Sequence, residues 1–210
     1  LNFLIMQTEI LYNINILPLY YKLGMKWESN KPVQPGQFIM LRIADKIDPL
    51  LRRPFGVYKI QGQGLEILYK VVGKGTRLMT ELSPGDTVDI LGPLGNGFPN
   101  PPSIPPLQRG GQGGVAVGRG QKIIMVAGGI GIVPFYLLAK SYQQSAVNLK
   151  LLFGGRSKED LPGLDDFKKL DIDMSIATDD GSIGKKGLVT DLLKKELSIQ
   201  GDYIVYACGP

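Results

Sequence analysis

The stretch Lys122-Ile123-Ile124-Met125-Val126-Ala127-Gly128-Gly129-Ile130-Gly131-Ile132-Val133-Pro134 decides how this chain folds. An unbroken apolar run leads into closely spaced glycines, and a helical pattern follows to Tyr142. Strands buried on both faces of a parallel sheet read as such runs. Glycines at the strand end let the backbone approach a pyrophosphate, and a helix N-terminus beyond them supplies N–H groups and positive potential. Pro134 suits the first turn of that helix, where its missing N–H costs little. The third glycine of the usual dinucleotide fingerprint is absent, so this is a related turn, and a glycine turn required only for packing stays open as the alternative. Every residue from Ile123 to Ala139 is uncharged. Its length is near the lower limit of about 17–25 residues for a membrane helix. The glycines and Pro134 in its middle favour strand, turn and helix over a span.

Working outward toward Pro210, strand and helix alternate. Strands are expected at Lys122–Ala127, Leu149–Phe153, Ile172–Ala177 and Tyr203–Ala207, with helices at Val133–Tyr142, Leu164–Leu170 and Leu188–Leu197. That alternation predicts a doubly wound parallel sheet. The chain stops directly after a strand, which is expected to leave this domain incomplete at its C-terminal side.

Working outward toward Leu1, the pattern changes to short β-rich runs separated by Pro and Gly. Strands are expected at Glu9–Leu17, Tyr20–Trp27, Gln37–Ile43, Phe55–Gln61, Leu65–Val72 and Thr87–Leu91, with a short helix at Thr76–Leu82. Six such strands predict an antiparallel barrel or sandwich. Between the halves, residues 99–121 are rich in Pro, Gly and Gln. They hold too few bulky apolar side chains to offset their ordering entropy. The expected organisation is therefore a β domain over 1–98, a flexible insertion over 99–121 and an α/β domain over 122–210.

Composition narrows the chemistry. The 210 residues contain no histidine and one cysteine, Cys208. Ser-His-Asp and Cys-His nucleophile systems are excluded, as are a Cys zinc site, an internal disulfide and a four-Cys iron–sulfur cluster. An enzyme built from this chain takes its chemistry from an organic cofactor. The net charge of +5 is spread without long Lys/Arg runs, so a solvated basic surface is expected and no nucleic-acid partner. No secretory signal is read, and a reducing cytoplasm is the simplest compartment.

Two further motifs suggest phosphate contacts. In Arg52-Arg53-Pro54-Phe55-Gly56-Val57 an arginine at a strand start can pair bidentately with a phosphate, and the ring of Phe55 can lie against a flavin. In Val72-Gly73-Lys74-Gly75-Thr76-Arg77-Leu78 a strand ends in glycines where a helix begins, a second anion-binding arrangement. The plain alternatives are a surface Arg pair and an ordinary helix cap.

Taken in order, Arg53-Pro54-Phe55, Gly73-Lys74-Gly75-Thr76, Gly92-Pro93-Leu94-Gly95, Gly128-Gly129-Ile130-Gly131-Ile132-Val133-Pro134 and Ala207-Cys208-Gly209-Pro210 resemble the ferredoxin–NADP reductase superfamily. Within it, Gly92–Phe98 and Thr178-Asp179-Asp180-Gly181-Ser182 most resemble the electron transfer subunits of type B dihydroorotate dehydrogenases. The resemblance implies a six-stranded FAD-binding barrel and an NAD-binding domain. Arg53 would hold the FAD pyrophosphate, with Pro54, Phe55 and Gly56 along the isoalloxazine. Gly73, Lys74, Gly75 and Thr76 would close the FAD phosphate site. Gly128, Gly129, Gly131 and Pro134 would carry NAD(H), and Cys208 would be the catalytic candidate beside the nicotinamide. Asp179 and Asp180 would meet the ribose hydroxyls. Relatives commonly carry Ser or Thr where this chain has Gly56, so flavin N5 would find a backbone N–H or water. The implied partner is an FMN-containing dihydroorotate dehydrogenase catalytic subunit, in a heterotetramer. The [2Fe–2S] cluster is expected only in a Cys-rich segment beyond Pro210. Another ferredoxin-, hydrogenase- or sulfide-reductase-type flavin subunit, or a non-catalytic interaction module, are the competing readings.

Overall fold

A computed structural model describes residues 4–28, 32–43, 51–98, 122–143 and 147–210. The Pro/Gly-rich stretch 99–121 lies outside the described residues.

The first half is a closed antiparallel barrel of six strands: β1 (Leu4–Leu17), β2 (Tyr20–Lys26), β3 (Phe38–Arg42), β4 (Arg53–Gln61), β5 (Gly64–Lys70) and β6 (Thr87–Leu94), with α1 (Lys74–Met79) between the last two. Around the wall the order is β1-β2-β5-β4-β3-β6. The first strand is longer than its sequence pattern indicates, because it serves two neighbours. Its Leu4–Glu9 portion pairs with β6, while Ile10–Leu17 pairs with β2. That change of partner closes the barrel. Alternate residues point inward, so Leu23 and Met25, Ile39 and Leu41, Leu65, Ile67 and Tyr69, and Val88 and Ile90 form one buried cluster.

The second half is a five-stranded parallel sheet of order β10-β9-β8-β7-β11. Its elements are β7 (Lys122–Gly128), α2 (Phe135–Tyr142), β8 (Asn148–Gly155), α3 (Leu164–Lys168), β9 (Asp173–Thr178), β10 (Lys185–Lys186), α4 (Val189–Leu197) and β11 (Tyr203–Cys208). Period-two alternation along β7 explains the two covered faces. Ile123, Met125 and Ala127 join Phe135, Leu138, Ala139 and Phe167 on one side. Ile124 and Val126 join Leu152, Ala177 and Leu192 on the other. The first cluster also takes in Tyr58 and Leu68 of the barrel, so one apolar core runs from the sheet into the barrel wall. Burying a side chain of this size contributes about 1.5–3 kcal/mol, which makes the junction a substantial part of the fold's stability. No helix among the described residues is long and apolar enough to cross a membrane.

Candidate functional site

Adjacent arginines at the start of β4 have different surroundings. Arg52 forms a two-pronged pair with Asp89, at 2.9 and 2.7 Å, and is committed to the barrel wall. Arg53 has no carboxylate partner among the described residues. Its guanidinium donates to the Leu51 carbonyl at 2.9 Å and lies over Gly75, where a Cβ would come within 2.2 Å of Nε. A Cβ at this position would displace the guanidinium from the first turn of α1. Pro54 is exposed, and Phe55 is half-buried with its ring edge toward Tyr69, at 6.2 Å between centroids. Leu51, whose carbonyl accepts from Arg53, exposes 74% of its surface, and Val72, just before the α1 cap, exposes 77%.

The α1 cap is Gly73, with exposed Lys74 next. Thr76 is buried within the first turn. Its hydroxyl accepts from the Val72 and Gly73 N–H groups at 2.9 and 3.1 Å and turns back toward the Gly73 carbonyl. The helix therefore begins two residues earlier than the sequence indicates, and the Thr76 hydroxyl serves the loop. Space around Gly73 is open, with nothing within 4 Å of a Cβ built there.

The glycine turn after β7 is a single 3-10 turn, Gly129–Ile132, and Pro134 caps α2. Gly129 takes φ +51°, the left-handed region. Gly131 has a packing reason for its identity: a Cβ there would stand 2.2 Å from the Cys208 carbonyl oxygen. The turn is thus seated against Cys208-Gly209-Pro210 at the end of β11, and Pro210 Cδ approaches a Gly128 Cβ at 3.4 Å. Cys208 is exposed, and desolvation by its surroundings pushes the thiol above its ordinary pKa.

Beyond β9 the two aspartates also part ways. Asp180 accepts from the Ser182 N–H at 2.9 Å, and its hydrogen bonds with Ser182 hold its carboxyl below the usual range. It shapes the turn. Asp179 is exposed, and its carboxylate has no partner among the described residues. Its N–H donates to the Gly155 carbonyl at 3.1 Å, while the Lys158 N–H donates to Ser182 Oγ at 2.8 Å, tying this loop to the one after β8.

The barrel and sheet motifs meet at Gly56 and Val133. A Cβ on Gly56 would lie 2.9 Å from Val133 Cγ1, so the strand carrying Arg53 passes directly against the turn carrying Gly128–Ile132. A cavity of about 460 Å³ lined by Tyr12, Lys59 and Glu66 lies on the outer barrel wall, and none of the predicted site residues lines it.

Residues 125–210 match the family described as the oxidoreductase NAD-binding domain. A dihydroorotate dehydrogenase B (NAD(+)) electron transfer subunit from Clostridium acetobutylicum is 38% identical over 96% of this chain and 71% of its own length. The chain belongs to the family of dihydroorotate dehydrogenase B electron transfer subunits. A second electron transfer subunit, from Bacillus caldolyticus, is 41% identical over 84% of this chain, and the match spans 63% of that relative. Among solved structures, an NADH-dependent reduced ferredoxin-NADP oxidoreductase superposes with a TM-score of 0.78 at 28% identity, covering 97% of this chain and 67% of that one.

The polar contacts that join barrel to sheet are not read from the sequence. Asp166 of α3 is buried and receives Lys22, Lys59 at 2.8 Å and the Tyr58 hydroxyl at 3.0 Å. Asp160, in a 3-10 turn after β8, receives the Tyr20 hydroxyl at 2.7 Å and Lys70 at 2.9 Å. Burial raises both carboxyls, but the hydrogen bonds from Lys22 and Lys59 on Asp166, and from Tyr20 and Lys70 on Asp160, outweigh it and hold both below the ordinary carboxylate range. Nothing local in the sequence marks these aspartates, because their partners lie more than a hundred residues away in most cases.

Proposed function

We propose that this chain holds FAD on its barrel and NAD(H) on its parallel sheet, and moves electrons between the dinucleotide and a protein partner. The observation that carries the reading is the contact of Gly56 with Val133, which sets the flavin-motif strand against the dinucleotide turn. The residues fit both groups. Arg53 is a guanidinium with no carboxylate partner among the described residues, seated on a helix start where a Cβ would meet it, an arrangement suited to a pyrophosphate clamp. The Gly129–Ile132 turn leads into α2 and offers backbone N–H groups to a second pyrophosphate.

FAD, when bound, supplies a hydride acceptor able to pass electrons onward. Arg53, with Gly73, Lys74, Gly75 and Thr76 forming the loop beneath it, binds the flavin phosphates. Pro54, Phe55 and Gly56 line the ring system. Gly128, Gly129, Gly131 and Pro134 receive the dinucleotide, and Asp179 meets its ribose hydroxyls while Asp180 holds the turn. Cys208, beside Gly131, forms the wall at the nicotinamide end. No side-chain acid or base is required, which suits a chain without histidine.

The partner is an FMN-containing dihydroorotate dehydrogenase catalytic subunit, and the assembly oxidises dihydroorotate to orotate in cytoplasmic pyrimidine biosynthesis. One cysteine cannot supply four thiolates, so the [2Fe–2S] relay draws its ligands from outside these 210 residues. The test is co-expression of the full-length subunit with the catalytic subunit, followed by dihydroorotate-dependent reduction of NAD⁺. NAD⁺ reduction supports the assignment. An FAD-loaded complex that reduces NAD⁺ from reduced ferredoxin but not from dihydroorotate would contradict it.

A further inference from the structure

Two carboxylates on one short segment fasten the sheet to the barrel, and each is fastened next to a nucleotide motif. Asp166 holds Tyr58 and Lys59, which follow Gly56 on β4 by two and three residues. Asp160 holds Lys70, the last residue of β5, three residues before Gly73 at the start of α1. It also holds Tyr20, and Lys70 lies over the Tyr20 ring at 4.8 Å.

On its other side Asp160 abuts the dinucleotide turn. Its carbonyl oxygen and the Tyr20 hydroxyl each stand 3.7 Å from where a Gly129 Cβ would be, and the same carbonyl lies 3.0 Å from a Gly155 Cβ. The side chain of Asp160 is largely sheltered, with 22% of its surface exposed. The side chain of Asp160 thus holds the strand that leads to Gly73, while its own carbonyl and the Tyr20 hydroxyl it binds border the turn that contains Gly129. A displacement of either changes the separation of the two sites.

We propose that Asp160, through Tyr20 and Lys70, is a positioning residue that fixes the turn Gly128–Ile132 relative to the barrel, and so sets the approach of nicotinamide to flavin. The inference rests on the two nucleotide sites proposed above. It assigns Asp160 no contact with the reacting atoms. Its effect falls on the rate at which bound dinucleotide reduces the flavin, and not on the binding of either nucleotide. Reacting atoms must approach within about 3–3.5 Å, and misplacement of about 1 Å costs on the order of a hundredfold in rate.

The experiment compares Asp160→Asn and Tyr20→Phe with the parent by stopped-flow reduction of the FAD-loaded chain, and by amide hydrogen exchange of the FAD-loaded and FAD-free chains. Asp160→Asn is expected to keep its FAD content and to hold half-saturating NADH within about twofold of the parent. Its limiting rate of flavin reduction is expected to fall about tenfold, with faster amide exchange at Gly128–Val133. Tyr20→Phe removes one donor and no charge, and is expected to show the same pattern in smaller measure. A limiting rate equal to the parent's in the FAD-loaded Asp160→Asn chain would overturn the proposal, as would unchanged exchange in the turn. Should Asp160→Asn fail to fold, an unaltered Tyr20→Phe chain would overturn it equally. A parent chain that took up no FAD would refute the nucleotide assignment instead. Exchange in the FAD-free chain would still decide whether Asp160 holds the turn.

Discussion

Gly56 of β4 and Val133, at the end of the glycine turn after β7, are so close that any Cβ on Gly56 would lie 2.9 Å from Val133 Cγ1. The glycine is needed for space and not for an unusual backbone angle, since it is absent from the positive-φ positions. Gly56→Ser is therefore expected to cost about 1–3 kcal/mol through overpacking. Combining it with Val133→Ala should return part of that stability. Urea unfolding of the two single variants and the double variant measures the coupling, and additive effects would show that the contact is not shared.

The two arginines of β4 should separate function from stability. Arg53→Ala removes a charge-assisted contact worth roughly 1.5–3 kcal/mol, and flavin retained after dialysis should fall about tenfold or more. Arg52→Ala breaks the two-pronged pair with Asp89. Its melting temperature should fall while flavin stoichiometry in the folded fraction stays at the parent's level. Flavin content and thermal melts on the same preparations check both outcomes.

Dinucleotide preference should depend on Asp179 and not on Asp180. A carboxylate at the ribose accepts hydrogen bonds from its hydroxyls and repels an added phosphate. NADH is expected to reduce the flavin faster than NADPH at matched concentration. Asp179→Ser should shift the ratio toward NADPH. Asp180→Asn, whose carboxamide oxygen can still accept from Ser182, should leave the ratio unchanged. Equal rates with NADH and NADPH in the parent would remove the assignment.

Acid should loosen the junction of barrel and sheet. Asp160 and Asp166 have folded pKa values below their unfolded ones. Their stabilisation is complete above the unfolded carboxylate pKa of about 3.9 and is lost as pH falls through the lower folded values. Between those limits the unfolded chain binds more protons, so stability rises with pH. Urea midpoints measured downward from neutrality should hold near pH 5–6 and then drop below roughly pH 4. Asp166→Asn should lower the plateau and flatten that acid limb.

Much of this architecture is legible in the sequence because it is written in local periods. Alternation marks β2 to β6, and the apolar run before Gly128 marks β7 as a buried strand. Less legible are groups whose surroundings depend on distant or unusual partners. The motif singles out Arg53, but that Arg52 is committed to the barrel wall shows only when Asp89 is found beside it. Thr76 and Asp180 carry the right atoms for a ligand, but backbone N–H groups of their own turns occupy them. The length of β1 depends on β6, far away in the chain, through pairings such as Leu4 with Gly92. The short strand β10 pairs only Lys185 and Lys186, too few residues to leave a period. Asp160 and Asp166 look like ordinary acidic residues near a short helix, and only the folded chain brings lysines and tyrosines of the barrel to them.

The most direct test of the account is anaerobic reduction of the FAD-reconstituted chain by NADH, followed through the flavin absorbance. Full bleaching by one equivalent of NADH per flavin, with the oxidised spectrum returning on admission of an electron acceptor, is the result the account predicts. A folded chain that retains no flavin, or one whose bound flavin stays oxidised under excess NADH, would contradict it.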